Sequence, residues 1–110
     1  MEEEILHLYQ EPAIGASYTN TYGEENISNL LSKYRSLDNA GMQQMMKMVV
    51  DFSQSTDLAT SFVSVGVLHA LGENEVVAEA YQWANTQEDA QRIISHFDIG
   101  KSVADYFSTP

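Results

Sequence analysis

The chain has 110 residues, with sixteen Asp and Glu against five Lys and Arg, a formal net charge of −11 and no cysteine. Disulfides, thiolate metal sites and thiol nucleophiles are thereby excluded. Nucleic-acid phosphates and anionic lipid surfaces would be repelled. Charge this far from zero works against compaction, so a small fold that keeps it points to a basic partner.

One domain spanning residues 1–110 is expected at this length, and 44% hydrophobic residues suffice for a core. No apolar run approaches the roughly 20 residues that cross a bilayer. The stretch MEEEILHLYQEP is acidic where a secretory signal would be basic, so a cytoplasmic location is expected.

Residues 1–23 form a less regular N-terminal segment. Residues 3–9 suit a short helix or a strand, Pro12 ends them, and AIGASYTNTYG (residues 13–23) reads as a loop. From Glu24 the helical period is plain. Ile27, Leu30, Leu31, Tyr34 and Leu37 share one face of a first helix. After an Asp38-Asn39 cap, Met42, Met45, Met46, Val49 and Phe52 repeat the pattern, with Met42, Met45, Met46 and Met48 reading as a pliable core.

Ser55-Thr56-Asp57 opens a third helix. Its two apolar lines, Leu58, Phe62, Val65, His69 and Val63, Val67, Leu71, make it hydrophobic nearly all round, which predicts a central, buried element. Leu71-Gly72 ends it. A fourth helix carries Val76, Val77, Ala80, Tyr81 and Ala84. Thr86 reads as the cap of a fifth, with Glu88 and Asp89 in its first turn and Ala90, Ile93, Ile94 and Phe97 on its stripe. After Ile99-Gly100 a short last helix presents Val103, Tyr106 and Phe107 ahead of Pro110.

The expected fold is therefore all-α: a compact bundle of five to seven short helices, with residues 24–110 as the helical core. Ile27, Leu58 and Ala90 are spaced by 31 and 32 residues, an interval that stacked HEAT-like hairpins and an ordinary bundle both produce.

No catalytic chemistry stands out. His7, His69 and His96 lie far apart without metal-ligand spacing. No serine occupies a Gly-x-Ser-x-Gly elbow, and Gly100-Lys101-Ser102 lacks the remainder of a phosphate loop. A protein without catalytic residues, metal or cofactor is expected.

Charge is segregated along the chain. Residues 1–32 carry −6, residues 33–72 are neutral, and residues 73–110 carry −5. On the fourth helix Glu75, Glu79 and Gln82 line one face, opposite Val77, Ala80 and Ala84, and Trp83 falls between that face and the core stripe. Singly, Trp83 reads as a lid on the core and the glutamates as solvated. As a group, an aromatic at the rim of an acidic face has the composition of an interface. Glu73, Glu75, Glu79, Gln82, Trp83, Glu88 and Asp89 are the candidate partner-binding residues. Tyr18 and Tyr22 form a second candidate, because loop tyrosines among Ser, Thr and Gly make adaptable contact surface; such tyrosines more often fold back over a core.

The acidic stretches Glu2-Glu3-Glu4, Glu73 to Glu79 and Glu88-Asp89, on a small helical chain without cysteine or catalytic motif, resemble the bacterial toxin-immunity proteins, including those of contact-dependent growth-inhibition systems. The resemblance is one of general character and is tied to no diagnostic motif. It implies a protein that neutralises a basic toxin domain, such as a nuclease, by covering its substrate cleft. Glu75, Glu79 and Asp89 would sit in that cleft, with Trp83 or a loop tyrosine as anchor. Two alternatives are a phage-type nucleic-acid mimic, which calls for evenly spaced carboxylates, and a helical-repeat adaptor, which calls for an exposed apolar edge.

Overall fold

A computed structural model describes residues 1–108; Pro110, read as following the last helix, lies outside the described residues. Among the described residues there are six α-helices and one 3-10 turn. They are α1 (Glu2–Gln10), the 3-10 turn (Tyr18–Asn20), α2 (Glu24–Arg35), α3 (Asn39–Phe52), α4 (Leu58–Ala70), α5 (Asn74–Asn85) and α6 (Ala90–Ser108). The all-α expectation holds.

The helix hydrophobic on every side is the axis of the fold. Residues 61–68 of α4 are all buried, and α4 packs on α2, α3, α5 and α6. Each fully buried Val, Leu or Phe contributes roughly 1.5–3 kcal/mol, so no other segment concentrates as much core. Ser61 and Ser64 are tolerated inside because their hydroxyls donate to Leu58 O and Thr60 O, at 3.1 and 2.8 Å. In stacked hairpins each unit would touch only its neighbours; here the helices gather round one, and the extents of 37 × 31 × 30 Å fit a closed bundle.

Caps explain the boundaries. Asp38 accepts from Gly41 N at 2.8 Å and opens α3. The Asp57 carboxylate takes both the backbone N–H and the hydroxyl of Thr60 and opens α4. Gly72, at φ +75°, closes α4 with a paired Schellman arrangement: Glu73 N donates to Leu68 O and Gly72 N to His69 O.

The end of the chain differs from expectation in two ways. Thr86 does not open a helix. It closes α5, its hydroxyl donating to Trp83 O at 2.6 Å, and α6 begins at Ala90. Gly100 does not end a helix either. α6 runs through it to Ser108, so Val103, Tyr106 and Phe107 belong to the same helix as Ile93 and Phe97. His96, expected near a helix C-terminus, consequently lies inside α6, where Nδ1 donates to Arg92 O. Gly100 is needed for contact: a Cβ there would lie 2.5 Å from Phe62 O, and one on Gly66 2.9 Å from Gly100 O. The two glycines let α4 and α6 cross at backbone distance.

α1 is a helix, and it docks through Tyr9, whose ring meets Phe52 edge-on at 5.2 Å. The Ser64 hydroxyl proton is committed to Thr60 O, so the Tyr9 hydroxyl donates to Ser64 Oγ, at 2.6 Å. Burial pushes the Tyr9 phenol well above its ordinary value. Because the folded value is raised, the contribution of neutral Tyr9 to stability is complete below the ordinary tyrosine range and is lost as pH climbs above it. Tyr9→Phe should cost about 1 kcal/mol in urea unfolding at neutral pH. In an alkaline titration read by phenolate absorbance, it should also remove the component that appears only as the helix signal collapses.

Candidate functional site

The acidic face expected on α5 forms as read. Glu75, Glu79 and Gln82 are exposed while Val77, Ala80 and Ala84 are buried. Glu88 and Asp89 are exposed in the turn that follows. Trp83 is half-buried and packs against the core. Glu73 is drawn away from the outward acids, into a depression between α2 and α3 with Tyr34, Met46 and Lys47. The α5 face therefore has charge without a protruding anchor.

The loop tyrosines do not fold back. Tyr18 is 91% and Tyr22 48% exposed. The sequence reading missed their neighbours: Tyr106, 81% exposed, and Phe107, 38% exposed, stand at the end of α6. Among the described residues these four make up all the exposed large apolar side chains except Leu6. Aromatic rings left in water on a chain of this size mark a contact surface more often than isolated aliphatics do.

Two adjoining depressions take in three of these rings, Tyr22, Tyr106 and Phe107. One, of about 540 Å³, is lined by Thr19, Glu24, Glu25, Ser28, Asn29, Tyr106 and Phe107. The other, of about 410 Å³, is lined by Tyr22, Asp98, Ile99, Ser102 and Val103. Thr19 lies within the 3-10 turn and Tyr22 just after it, and Val103 and Tyr106 are one turn apart on α6, so the pair makes a single groove. Its walls are the turn with the N-terminus of α2 on one side and the second half of α6 on the other. Glu24, Glu25 and Asp98 contribute carboxylates, and no Lys or Arg lines either depression.

The turn is held by a buried pair of asparagines. Asn20 Nδ2 donates to Asn26 Oδ1 at 2.9 Å and reaches Pro12 O at 3.2 Å; Asn20 Oδ1 accepts from Glu25 N at 2.9 Å and so caps α2. Asn26 Nδ2 donates to Leu8 O and Pro12 O, both at 3.0 Å. At φ +76°, Gly23 leads into α2 in a left-handed conformation, and a Cβ there would meet Val63 Cγ2 at 2.9 Å. The turn thus has one seat.

Along α6 the polar groups are tied to other helices. Asp98 accepts from the Tyr81 hydroxyl at 2.6 Å, Lys101 Nζ lies 5.2 Å from the Tyr81 ring centre, and Asp105 meets His69 Nε2 at 2.6 Å. Partial burial and then the Asp98 bond push the Tyr81 phenol above its ordinary value, which keeps it a neutral donor. Lys33 is bound to Glu4 at 2.7 Å, an exposed contact that holds the Glu4 carboxyl below the usual carboxylate range. Among the described residues no three His, Asp or Glu converge to hold a metal ion, and no helix is long and apolar enough to cross a membrane.

Comparison of the chain with family models gives no match, and neither a curated protein nor a solved structure matches it.

Proposed function

We propose that this protein is a small acidic inhibitor that binds a basic protein partner in the cytosol, in the manner of an immunity protein covering a toxin domain. The observation that carries this reading is the groove: exposed Tyr22, Tyr106 and Phe107 around Glu24, Glu25 and Asp98, with no lining cation, and exposed Tyr18 on the neighbouring turn. Aromatic anchors bordered by carboxylates suit a surface that must desolvate against a cationic protein. The exposed carboxylates of α5 and the neighbouring turn extend the negative field and would speed encounter. Inhibition would be steric, by occupation of a cleft the partner uses for an anionic substrate.

The test uses the product of the adjacent gene. Mixed with the full chain, it should raise the melting temperature of both proteins. Its association rate should fall by roughly tenfold between low and physiological salt, the dissociation rate changing less. No binding, or binding that strengthens with salt, would refute the proposal. Tyr22→Ala with Tyr106→Ala should weaken the complex by about 100-fold or more, since each truncates a candidate anchor at the groove and neither lies in the core.

A further inference from the structure

We infer that the larger depression, between the N-terminus of α2 and the C-terminal end of α6, receives an arginine side chain of the basic partner; this rests on the reading just proposed and names the group recognised. Two features converge there. First, Tyr106 and Phe107 meet edge-to-face, with ring centres 5.7 Å apart and planes at 84°. That contact steadies the highly exposed Tyr106 ring as a surface on which a planar cation can stack.

Second, the facing wall offers two carboxylates from the first turn of α2. Glu24 spends one oxygen on Tyr22 N, leaving the other available. Glu25 is exposed, and among the described residues nothing donates to its carboxylate. Ser28 and Asn29 complete the rim.

Carboxylates and an exposed ring favour a cation, and a ring beside a carboxylate favours the flat, forked guanidinium over the point charge of lysine. α6 already pairs a cation with a ring in this way, Lys101 over Tyr81. The apolar second depression, with Ile99 and Val103, would take the residue next to that arginine.

Nuclear magnetic resonance titration of the full ¹⁵N-labelled chain at about 50 mM salt tests this, with hexa-arginine and hexa-lysine peptides as probes. Hexa-arginine should shift the amides of residues 19–29 and 103–107 saturably and bind roughly fivefold or more tighter than hexa-lysine. Tyr106→Ala, whose fold is checked by circular dichroism, should erase that preference while leaving a weak common affinity, and Glu25→Gln should weaken hexa-arginine by roughly threefold or more. Equal binding of the two peptides, or shifts centred on α1 or on Glu75 and Glu79, would overturn the inference. The outcomes separate from those of the function proposed above. A basic partner whose contacts map to α5 would remove the arginine notch and keep the inhibitor. Selective arginine binding in the notch, with no response to the adjacent gene product, would keep the notch and remove the toxin partner.

Discussion

Gly100→Ala should lower the stability of the fold by about 2 kcal/mol and the melting temperature by roughly 10 °C, although alanine is the better helix former. In an open helix the substitution would gain about 1 kcal/mol. Here the new Cβ would sit 2.5 Å from Phe62 O, and the atom it meets belongs to the backbone of α4, which cannot swing aside like a side chain. Relief requires α4 and α6 to separate along the crossing, loosening Phe97 and Val65, both fully buried. Overpacking of a tight interior costs about 1–3 kcal/mol before the propensity gain is subtracted, and a backbone clash falls at the upper end. Gly66→Ala should cost somewhat less: its Cβ would meet the Ile27 Cδ1 methyl at 2.8 Å, which can rotate away, and Gly100 O at 2.9 Å, a milder backbone clash than the 2.5 Å one at Gly100. Urea unfolding followed by far-ultraviolet circular dichroism measures both. A Gly100→Ala variant as stable as the parent would show that the two helices do not cross at backbone distance.

The same glycine shows where the sequence stops being readable. Gly72 and Gly100 both follow an apolar residue near a helix end by the periodicity, and only Gly72 proves to be a cap. A cap is a local event, since the Schellman bonds of Gly72 span only residues 68–73. The role of Gly100 depends on Phe62 and Gly66, more than thirty residues earlier. A signal was nonetheless present: Phe97, Gly100 and Ala104 continue the stripe of Ala90 and Ile93 at helical spacing, with small residues where a neighbour comes close.

α4 was legible because its character needs no partner to interpret: a helix apolar on every side has to be central. The outward face of α5 was legible for the same reason, Glu75 and Glu79 being set opposite Val77 and Ala80 by the helical period alone. The groove was not. Its walls come from residues 19–29 and 98–107, and no periodicity spans that gap. Tyr18 and Tyr22 could be named as candidates but not placed, and Tyr106 and Phe107 could be read only as residues that a short last helix presents. What separates a core ring from a binding ring is the presence of a helix over it. At the end of α6 the opposite wall stands back from the rings and leaves a depression.

Asn26→Leu should cost about 3 kcal/mol, more than its exchange of an amide for an apolar group of similar size suggests. The reason begins at Pro12. In a continuing helix, Leu8 O would accept from the backbone N–H of residue 12, and proline has none. Asn26 Nδ2 supplies the missing donor and also reaches Pro12 O, while Asn26 Oδ1 receives Asn20 Nδ2. Removing the amide strips Leu8 O of its replacement donor, takes one donor from Pro12 O and leaves Asn20 Nδ2 without its shortest bond. Each buried polar group left unsatisfied costs about 1–3 kcal/mol. Asn20 also caps α2 through Glu25 N, so the 3-10 turn should loosen, and with it the wall that carries Tyr18 and Tyr22. Asn26→Asp separates hydrogen bonding from packing. Its volume is nearly unchanged, but at neutral pH a carboxylate would face the Leu8 and Pro12 carbonyls with no proton to give. The folded form should therefore hold that carboxyl protonated to a higher pH than the unfolded chain does. The variant's deficit relative to the parent should be smallest below the ordinary carboxylate range and grow as pH rises through the raised folded value. Paired urea titrations of parent and variant at acid and neutral pH read this directly. A deficit that does not change with pH would mean that the amide's two donors are not what holds the turn in place.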